Sequence, residues 1–245
     1  MPARQRWRRP GSVWAIDHGE PPQPIDGHFR QILAVRDLAS GMQLAWTPVA
    51  EATAAEAVPV LQALTLEYGA PLALKSDNGS AFKSGDFGAW LSEHLVVPLL
   101  SPVRMPRYNG ACEAGIGAAK RRTEYLAARQ GRYLDWTTND LHAAQRWANE
   151  ESYPGGFAAG TPASRFAARV PIDDIERDTF RAAVLQYERE RNQEASTRGD
   201  ALTDMLLAIH HRRAVRHVLV EHGYLDITRR SVPQPLPAKK CAKIK

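Results

Sequence analysis

Leu72-Ala73-Leu74-Lys75-Ser76-Asp77-Asn78-Gly79-Ser80 is an apolar run that ends on an acid and then turns. Asn-Gly bends a chain sharply, so the Asp77 carboxylate is left at the rim of whatever sheet the run joins. Val13-Trp14-Ala15-Ile16 has the same form and ends on Asp17. Pro21, Pro22, Pro24 and Gly27 then force a loop. A third acid, Glu113, closes Pro106-Arg107-Tyr108-Asn109-Gly110-Ala111-Cys112-Glu113, with 35 residues between it and Asp77. Lys120 follows Glu113 by seven residues.

The neighbouring segments supply a frame for these acids. Arg30 to Asp37 and Gln43 to Val49 are apolar runs joined by Ala39-Ser40-Gly41-Met42, a β-hairpin signal. Thr53 to Tyr68 has helical spacing in Ala54, Ala57, Val58, Leu61 and Leu64, and Gly69-Ala70-Pro71 ends it. Pro59 predicts a kink there, or a later start. Phe87 to Leu95 reads as a short helix and Val96 to Leu100 as a last strand. Helices are expected from about Asn109 to Arg129 and from Thr138 to about Glu151. Thr161-Pro162 opens another, a hydroxyl cap before a first-turn proline. Pattern alone gives a mixed α/β class.

Beyond Pro171 the character changes. Ile175 to Arg191 reads as a charged amphipathic helix, Glu194 to Asp200 as a polar break, and Ala201 to Glu221 as a second helix carrying Arg212, Arg213 and Arg216. Ser231 to Lys245 is rich in Pro and Lys and reads as disordered. The expected organisation is a basic arm over 1–10, a core over 11–170, a helical extension over 171–228 and a basic tail over 229–245.

A hydrophobic share of 44% and a charged share of 24% are those of a globular protein. No run of 18 apolar residues exists, which excludes a helical membrane span, and the Arg-rich start is not a secretory signal. Cys112 and Cys241 stand far apart, with no metal-ligand spacing around either, so a reduced cytosolic setting is expected. The net charge is +5. Residues 1–10 and 229–245 hold ten cations and no acid between them, which leaves a net −5 on residues 11–228. Such basic stretches suit a polyanion, because Lys and Arg displace the counterions condensed on phosphates.

Asp17, Asp77, Glu113 and Lys120, in this order and at these separations, resemble the catalytic core of the DDE integrase/transposase family, which includes retroviral-type integrases and bacterial insertion-sequence transposases. The resemblance covers roughly residues 11 to 170. It implies an RNase H-like mixed sheet of about five strands flanked by helices, followed here by a mainly helical C-terminal extension. It also implies Mg²⁺-dependent (or Mn²⁺-dependent) DNA cleavage and strand transfer with two ions per active site. Phosphodiester transfer places charge on the attacking and leaving oxygens, and two Mg²⁺ ions stabilise both. Mg²⁺ takes hard oxygen ligands and keeps several waters, so a few carboxylates suffice. By the resemblance, Asp17 bridges the ions, Asp77 holds the first and Glu113 the second. Three close carboxylates repel one another without metal.

The resemblance places Lys120 against the DNA end. Glu113, Ile116, Gly117 and Lys120 share one helical face, and Arg121 and Arg122 adjoin Lys120. The family often carries a second basic residue one turn after its Glu, where this chain has Gly117. Asn109 and Gly110 match the family's helix-opening position. Arg104 and Arg107 lie in the loop before that helix and are candidate DNA contacts. Implied partners are element ends and target DNA, with a homodimer or higher oligomer on DNA and a bacterial cytosolic or nucleoid setting. Related transposases carry a helix-turn-helix region before the core. Here the core begins within the first dozen residues, so that module is on a separate subunit, is absent, or the reading frame is a fragment.

Two other readings compete. One is a truncated transposase that binds DNA or assembles without catalysis. The other is a stand-alone RNase H-like nuclease. Several residues receive plain structural readings: His18 points to the opposite sheet face from Asp17, Asp37 caps the hairpin, and Trp46, Trp90, Trp136 and Trp147 belong to the core. His210, His211, His217 and His222 read as a solvated helix face, and Cys112 has no role.

Overall fold

The computed structural model describes residues 4–102 and 110–228. Five strands form the central sheet: β2 (Val13–Gly19), β3 (Gln31–Asp37), β4 (Gln43–Val49), β5 (Ala73–Ser76) and β6 (Val97–Leu100), in the order β4-β3-β2-β5-β6. β2, β3 and β4 form an antiparallel meander, while β5 runs parallel to β2, and β6 to β5. β2 and β5 are covered on both faces, which is why they read as nearly continuous apolar runs.

Three clusters of buried side chains record this layering. Trp14, Ile16, Leu33, Val35 and Leu74 pack under α1 (Ala54–Tyr68) and α2 (Gly85–Glu93). On the other face, Ile32, Ala34 and Trp46 meet α3 (Gly110–Arg129) and α4 (Thr138–Arg146). Val13, Leu72, Ala73, Val97 and Leu99 pack under α6 (Asp174–Thr197) and α7 (Asp204–Glu221). A short helix, α5 (Pro162–Ala167), buries Phe166 in the first cluster and opens as expected, with the Thr161 side chain accepting from Ser164 N–H. This is the RNase H-like mixed sheet with a mostly helical C-terminal part. Among the described residues, no helix is long and apolar enough to cross a membrane.

Several elements differ from expectation. α1 starts at Ala54, before Pro59 rather than after it; the proline falls in the second turn, where its missing N–H removes one helical bond near the end. The helix expected to reach Glu151 is α-helical only to Arg146 and then widens into a π-helical turn, Trp147–Glu151. The break expected from Glu194 lies further on, because α6 runs to Thr197 and buries Ala195. α7 starts at Asp204, capped by Thr203, three residues later than read. Residues 4–7, read as part of a basic arm, form strand β1 (Arg4–Trp7), which pairs antiparallel with β7 (Leu225–Thr228).

Of the four histidines of α7 and its end read as a solvated face, His217 and His222 are exposed as expected, whereas His210 and His211 are not. His210 is buried, with Nδ1 2.6 Å from Asn192 Oδ1. His211 reaches Glu188 at 3.2 Å and the Pro98 carbonyl at 2.8 Å. His217 stacks on Tyr187, and His222 meets Phe180 edge-on. His210 and His211 sit where α6 and α7 pack together, and His211 also reaches β6, a tertiary contact that no local pattern announces.

Asp37 caps the hairpin as expected and does more. Its Oδ2 accepts from Ser40 N–H at 2.7 Å and from the Ser40 hydroxyl at 2.5 Å, while Oδ1 accepts from Gly11 N–H at 2.8 Å. Trp46, Trp90 and Trp136 are buried, and Trp147 is half-buried beneath the Arg122 guanidinium.

Candidate active site

Asp17 and Asp77 lie at matching heights on neighbouring parallel strands. Ala15 pairs with Lys75 across β2 and β5, and each acid stands two residues further along. Asp17 points to the α3 side of the sheet by alternation, and Asp77 stands just past the end of β5. Each carboxylate is tied to its own turn: Asp17 Oδ1 accepts from His18 N–H at 2.9 Å, and Asp77 Oδ1 from Gly79 N–H at 2.8 Å. The Asn78 side chain donates to the Ser101 carbonyl, joining the turn after β5 to the chain after β6. His18 faces the other way, stacked on Phe82 with ring centroids 5.1 Å apart. Burial lowers its pKa, and the nearby Asp77 charge works against that.

Glu113 lies in the first turn of α3, with an exposed side chain. A helix N-terminus favours such a charge. Among the described residues, no group of three or more His, Cys, Asp or Glu is arranged to hold a metal ion. The structure thus sets two of the acids on adjacent strands and leaves the third at the surface of the helix above them. Arg104, Arg107 and Asn109 lie outside the described residues.

Lys75, to which sequence reasoning assigned no role, sits beneath the acids. It is 3% exposed. Burial lowers its ammonium to about 8, against the opposing pull of Cys112, Glu113 and Asp17. The signal for it was present: a lysine inside an apolar run that sheet and helix cover on both sides. Cys112 is itself buried, and burial pushes its thiol up, so it stays neutral and takes no part as a nucleophile.

The approach of α3 to the sheet depends on two glycines. A Cβ at Gly19 would meet Ile116 Cγ2 at 2.6 Å and Lys120 Cε at 3.7 Å. A Cβ at Gly115 would meet Gln43 Oε1 at 3.1 Å and Arg36 Nη1 at 3.4 Å. The helix therefore lies close on β2 and β3, and the Lys120 stem runs over Gly19, two residues from Asp17. Gly19→Ala is expected to push α3 outward and cost about 2 kcal/mol, as overpacking does. In an Ile116→Ala background the same change is expected to cost far less. Urea denaturation of the four-member cycle measures that coupling; additive costs would show that α3 does not rest on Gly19.

Lys120 and Arg121 border an open groove of about 540 Å³ with Glu20, Pro21, Pro22 and Leu134. Glu124, on the same rim, accepts from Trp136 Nε1 at 2.7 Å. Arg121 folds back along its helix, with Nη1 3.4 Å from where a Gly117 Cβ would stand, so Gly117 leaves it room. Arg122 is engaged elsewhere: it donates to the Ser152 hydroxyl at 2.9 Å and covers the Trp147 ring. It joins α3 to the π-helical turn.

No protein-family model matches the chain, and no curated protein matches it in sequence. Solved structures do match. The simian T-cell lymphotropic virus intasome, determined by cryo-EM with PP2A regulatory subunit B56 gamma, is similar at 20% identity and a TM-score of 0.60, over 71% of this chain and 62% of that one. The HTLV-2 integrase catalytic core domain in complex with magnesium, in its dimeric form, is similar at 18% identity and a TM-score of 0.53, over 66% of this chain and 100% of that one. The BIV integrase catalytic core domain reaches 21% identity and a TM-score of 0.50, over 64% of this chain and 94% of that one. The chain therefore spans less than two thirds of the intasome chain but nearly all of the isolated core domains. At these identities the likeness is one of fold: about two thirds of this chain is built as the catalytic core domains of retroviral integrases are built.

Proposed function

We propose that the chain is a DDE-type polynucleotidyl transferase, a transposase or integrase core that cleaves DNA and joins its ends to a target. The observation that supports this reading is the position of Asp17 and Asp77 two residues beyond the Ala15–Lys75 pair of adjacent parallel strands, with the Lys120 stem of α3 over Gly19 close by. The donor set fits Mg²⁺ or Mn²⁺, since all three groups are hard carboxylate oxygens. Two such ions, when bound, supply the charge stabilisation that an in-line displacement at phosphorus requires.

The remaining parts belong to the chain. Asp17, on the middle strand β2, would hold the ions together with Asp77 and Glu113. Lys75 puts a buried positive charge beneath carboxylates that otherwise repel. Lys120, its stem over Gly19, sets an ammonium beside the rim, where it meets a backbone phosphate of the DNA end. In cleavage, water attacks phosphorus and the 3′ oxygen leaves as a hydroxyl; in joining, that hydroxyl attacks a target phosphodiester and displaces its 3′ oxygen. Joining two ends uses two active sites, so a dimer or higher assembly on DNA belongs to the proposal, and sedimentation with and without duplex ends tests it. The HTLV-2 core domain occurs in dimeric and trimeric forms.

A second reading is favoured by the exposed Glu113 side chain and by the lack, among the described residues, of a three-acid group. In it the chain binds DNA and assembles without cutting. Nicking and strand transfer on duplexes taken from the DNA flanking the gene, with Mn²⁺ or Mg²⁺, separate the two. Metal-dependent products are expected from the intact chain. DNA binding without product under either metal would sink the enzymatic reading and leave the second.

A further inference from the structure

We propose that the β1–β7 ribbon is a second DNA-contacting surface, which grips the phosphate backbone of duplex DNA away from the candidate active site. The inference rests on DNA being the partner, as proposed above, but not on catalysis.

The observation is a juxtaposition. Residues 1–10 and 229–245 hold all ten of the cations that stand against a net −5 on the rest of the chain. They are the two most distant parts of the sequence. The ribbon joins the described residues next to these stretches: Arg4 pairs with Thr228, Arg6 with Asp226 and Trp7 with Leu225, so the strand holding Arg4 and Arg6 runs beside the strand that ends at Thr228.

The ribbon has one dry face and one wet face. Trp7, Leu225 and Ile227 pack with Phe180, Val184, Val215 and Leu219 beneath it. Arg6 and Arg8 are exposed on the other side. Arg9 is not available to a ligand, because its guanidinium pairs with Glu176 and reaches the Pro171 carbonyl. It anchors the base of the ribbon, where Arg8 N–H also donates to the Tyr224 carbonyl. One acid faces the exposed arginines: Asp226 Oδ2 lies 3.4 Å from Arg8 Nη1, with both side chains about half exposed. Exposed pairs of this kind are worth about 1 kcal/mol or less, so a phosphate competes easily for Arg8.

A two-stranded ribbon with both faces free can enter a major groove. This one has a face sealed against α6 and α7 and shows Arg6, Arg8 and Asp226 on the other, and we assign that face to the backbone. Its contacts are with phosphates and carry no base readout. It stands where β2, β5 and β6 begin, whereas Asp17 and Asp77 stand where β2 and β5 end. The two surfaces therefore meet different parts of one duplex.

The test uses the full chain without metal, binding a fluorescent duplex of about three helical turns across a range of salt. The comparison is between wild type, the Arg6→Gln/Arg8→Gln double variant and Asp226→Asn. The slope of log K against log salt changes by about 0.9 per phosphate contact, so the double variant is expected to bind less tightly with a slope smaller by about 2. Asp226→Asn removes the competing acid and is expected to bind more tightly. Circular dichroism and a urea midpoint on each variant confirm folding. Unchanged slope and affinity in a folded double variant would overturn the proposal, as would weaker binding by Asp226→Asn. Nicking by the double variant at saturating DNA is expected to equal wild type. If wild type nicks nothing while the slope still falls, the ribbon stands and the enzymatic reading fails.

Discussion

Glu113→Gln is expected to reduce metal-dependent nicking and strand transfer at least a thousandfold, with folding and DNA affinity unchanged. The substitution keeps shape and removes charge. Glu113 is exposed in the first turn of α3; in the core its charge is felt by the buried Lys75, and a neutral amide there gives up that attraction and the small interaction with the helix terminus. For a metal the difference is large. A carboxylate ligand holds a divalent ion that stabilises the developing charge by several kcal/mol, and about 4 kcal/mol corresponds to a thousandfold in rate. Asp17→Asn and Asp77→Asn are expected to match it. Steady-state nicking with Mn²⁺ measures this, beside anisotropy for DNA binding and a thermal melt. Activity within tenfold of wild type in Glu113→Gln would remove Glu113 from the site, whatever Asp17 and Asp77 do.

Asp37→Ala is expected to lower the stability of the whole core by about 3 kcal/mol. Its carboxylate is fully buried and accepts three hydrogen bonds, from Gly11 N–H, Ser40 N–H and the Ser40 hydroxyl. Removing it strands those donors, and each buried orphan costs about 1–3 kcal/mol. Burial raises the pKa of this carboxyl and its hydrogen bonds pull the other way. The net direction is upward, so the native state favours the protonated form. Stability from this group is then fullest at acid pH and falls as pH rises through the folded pKa. Asp37→Asn is thus expected to cost less than Asp37→Ala near neutral pH. Urea midpoints for the two variants decide it. A loss under about 1 kcal/mol in Asp37→Ala would mean that water reaches the abandoned donors.

Much of the core was legible because its strands are short apolar runs closed by turn residues. β2 and β5 announce themselves this way, and so does the hairpin of β3 and β4. The ribbon was not legible. Arg4-Gln5-Arg6-Trp7 and Leu225-Asp226-Ile227-Thr228 are four residues each, with three and two polar residues, and each becomes a strand only by finding the other. The reading of His210 and His211 failed for a related reason: helical periodicity says which residues share a face, not that another helix will cover part of it. At the site, the strand-end positions of Asp17 and Asp77 could be read directly, but their adjacency came from the resemblance. Lys75 was passed over because a lysine in a strand is usually taken as pointing to water. Two covered faces leave it nowhere wet to point. The close seat of α3 was hidden in Gly19, whose meaning appears only beside Ile116.

The pairing of Arg4 with Thr228 has a consequence for the order of events in folding. Few contacts in the molecule span so much chain, and contacts of that span pay the largest loop-closure entropy. On a ribosome, β1 emerges before the central sheet and waits unpaired while that sheet and its helices are made, since its partner comes more than two hundred residues later. The central sheet can form meanwhile, as its strands all lie within the first hundred residues. The ribbon is therefore a late latch. A chain that stops short of β7 keeps the acids of the sheet but never assembles the surface on which Arg6 and Arg8 are held.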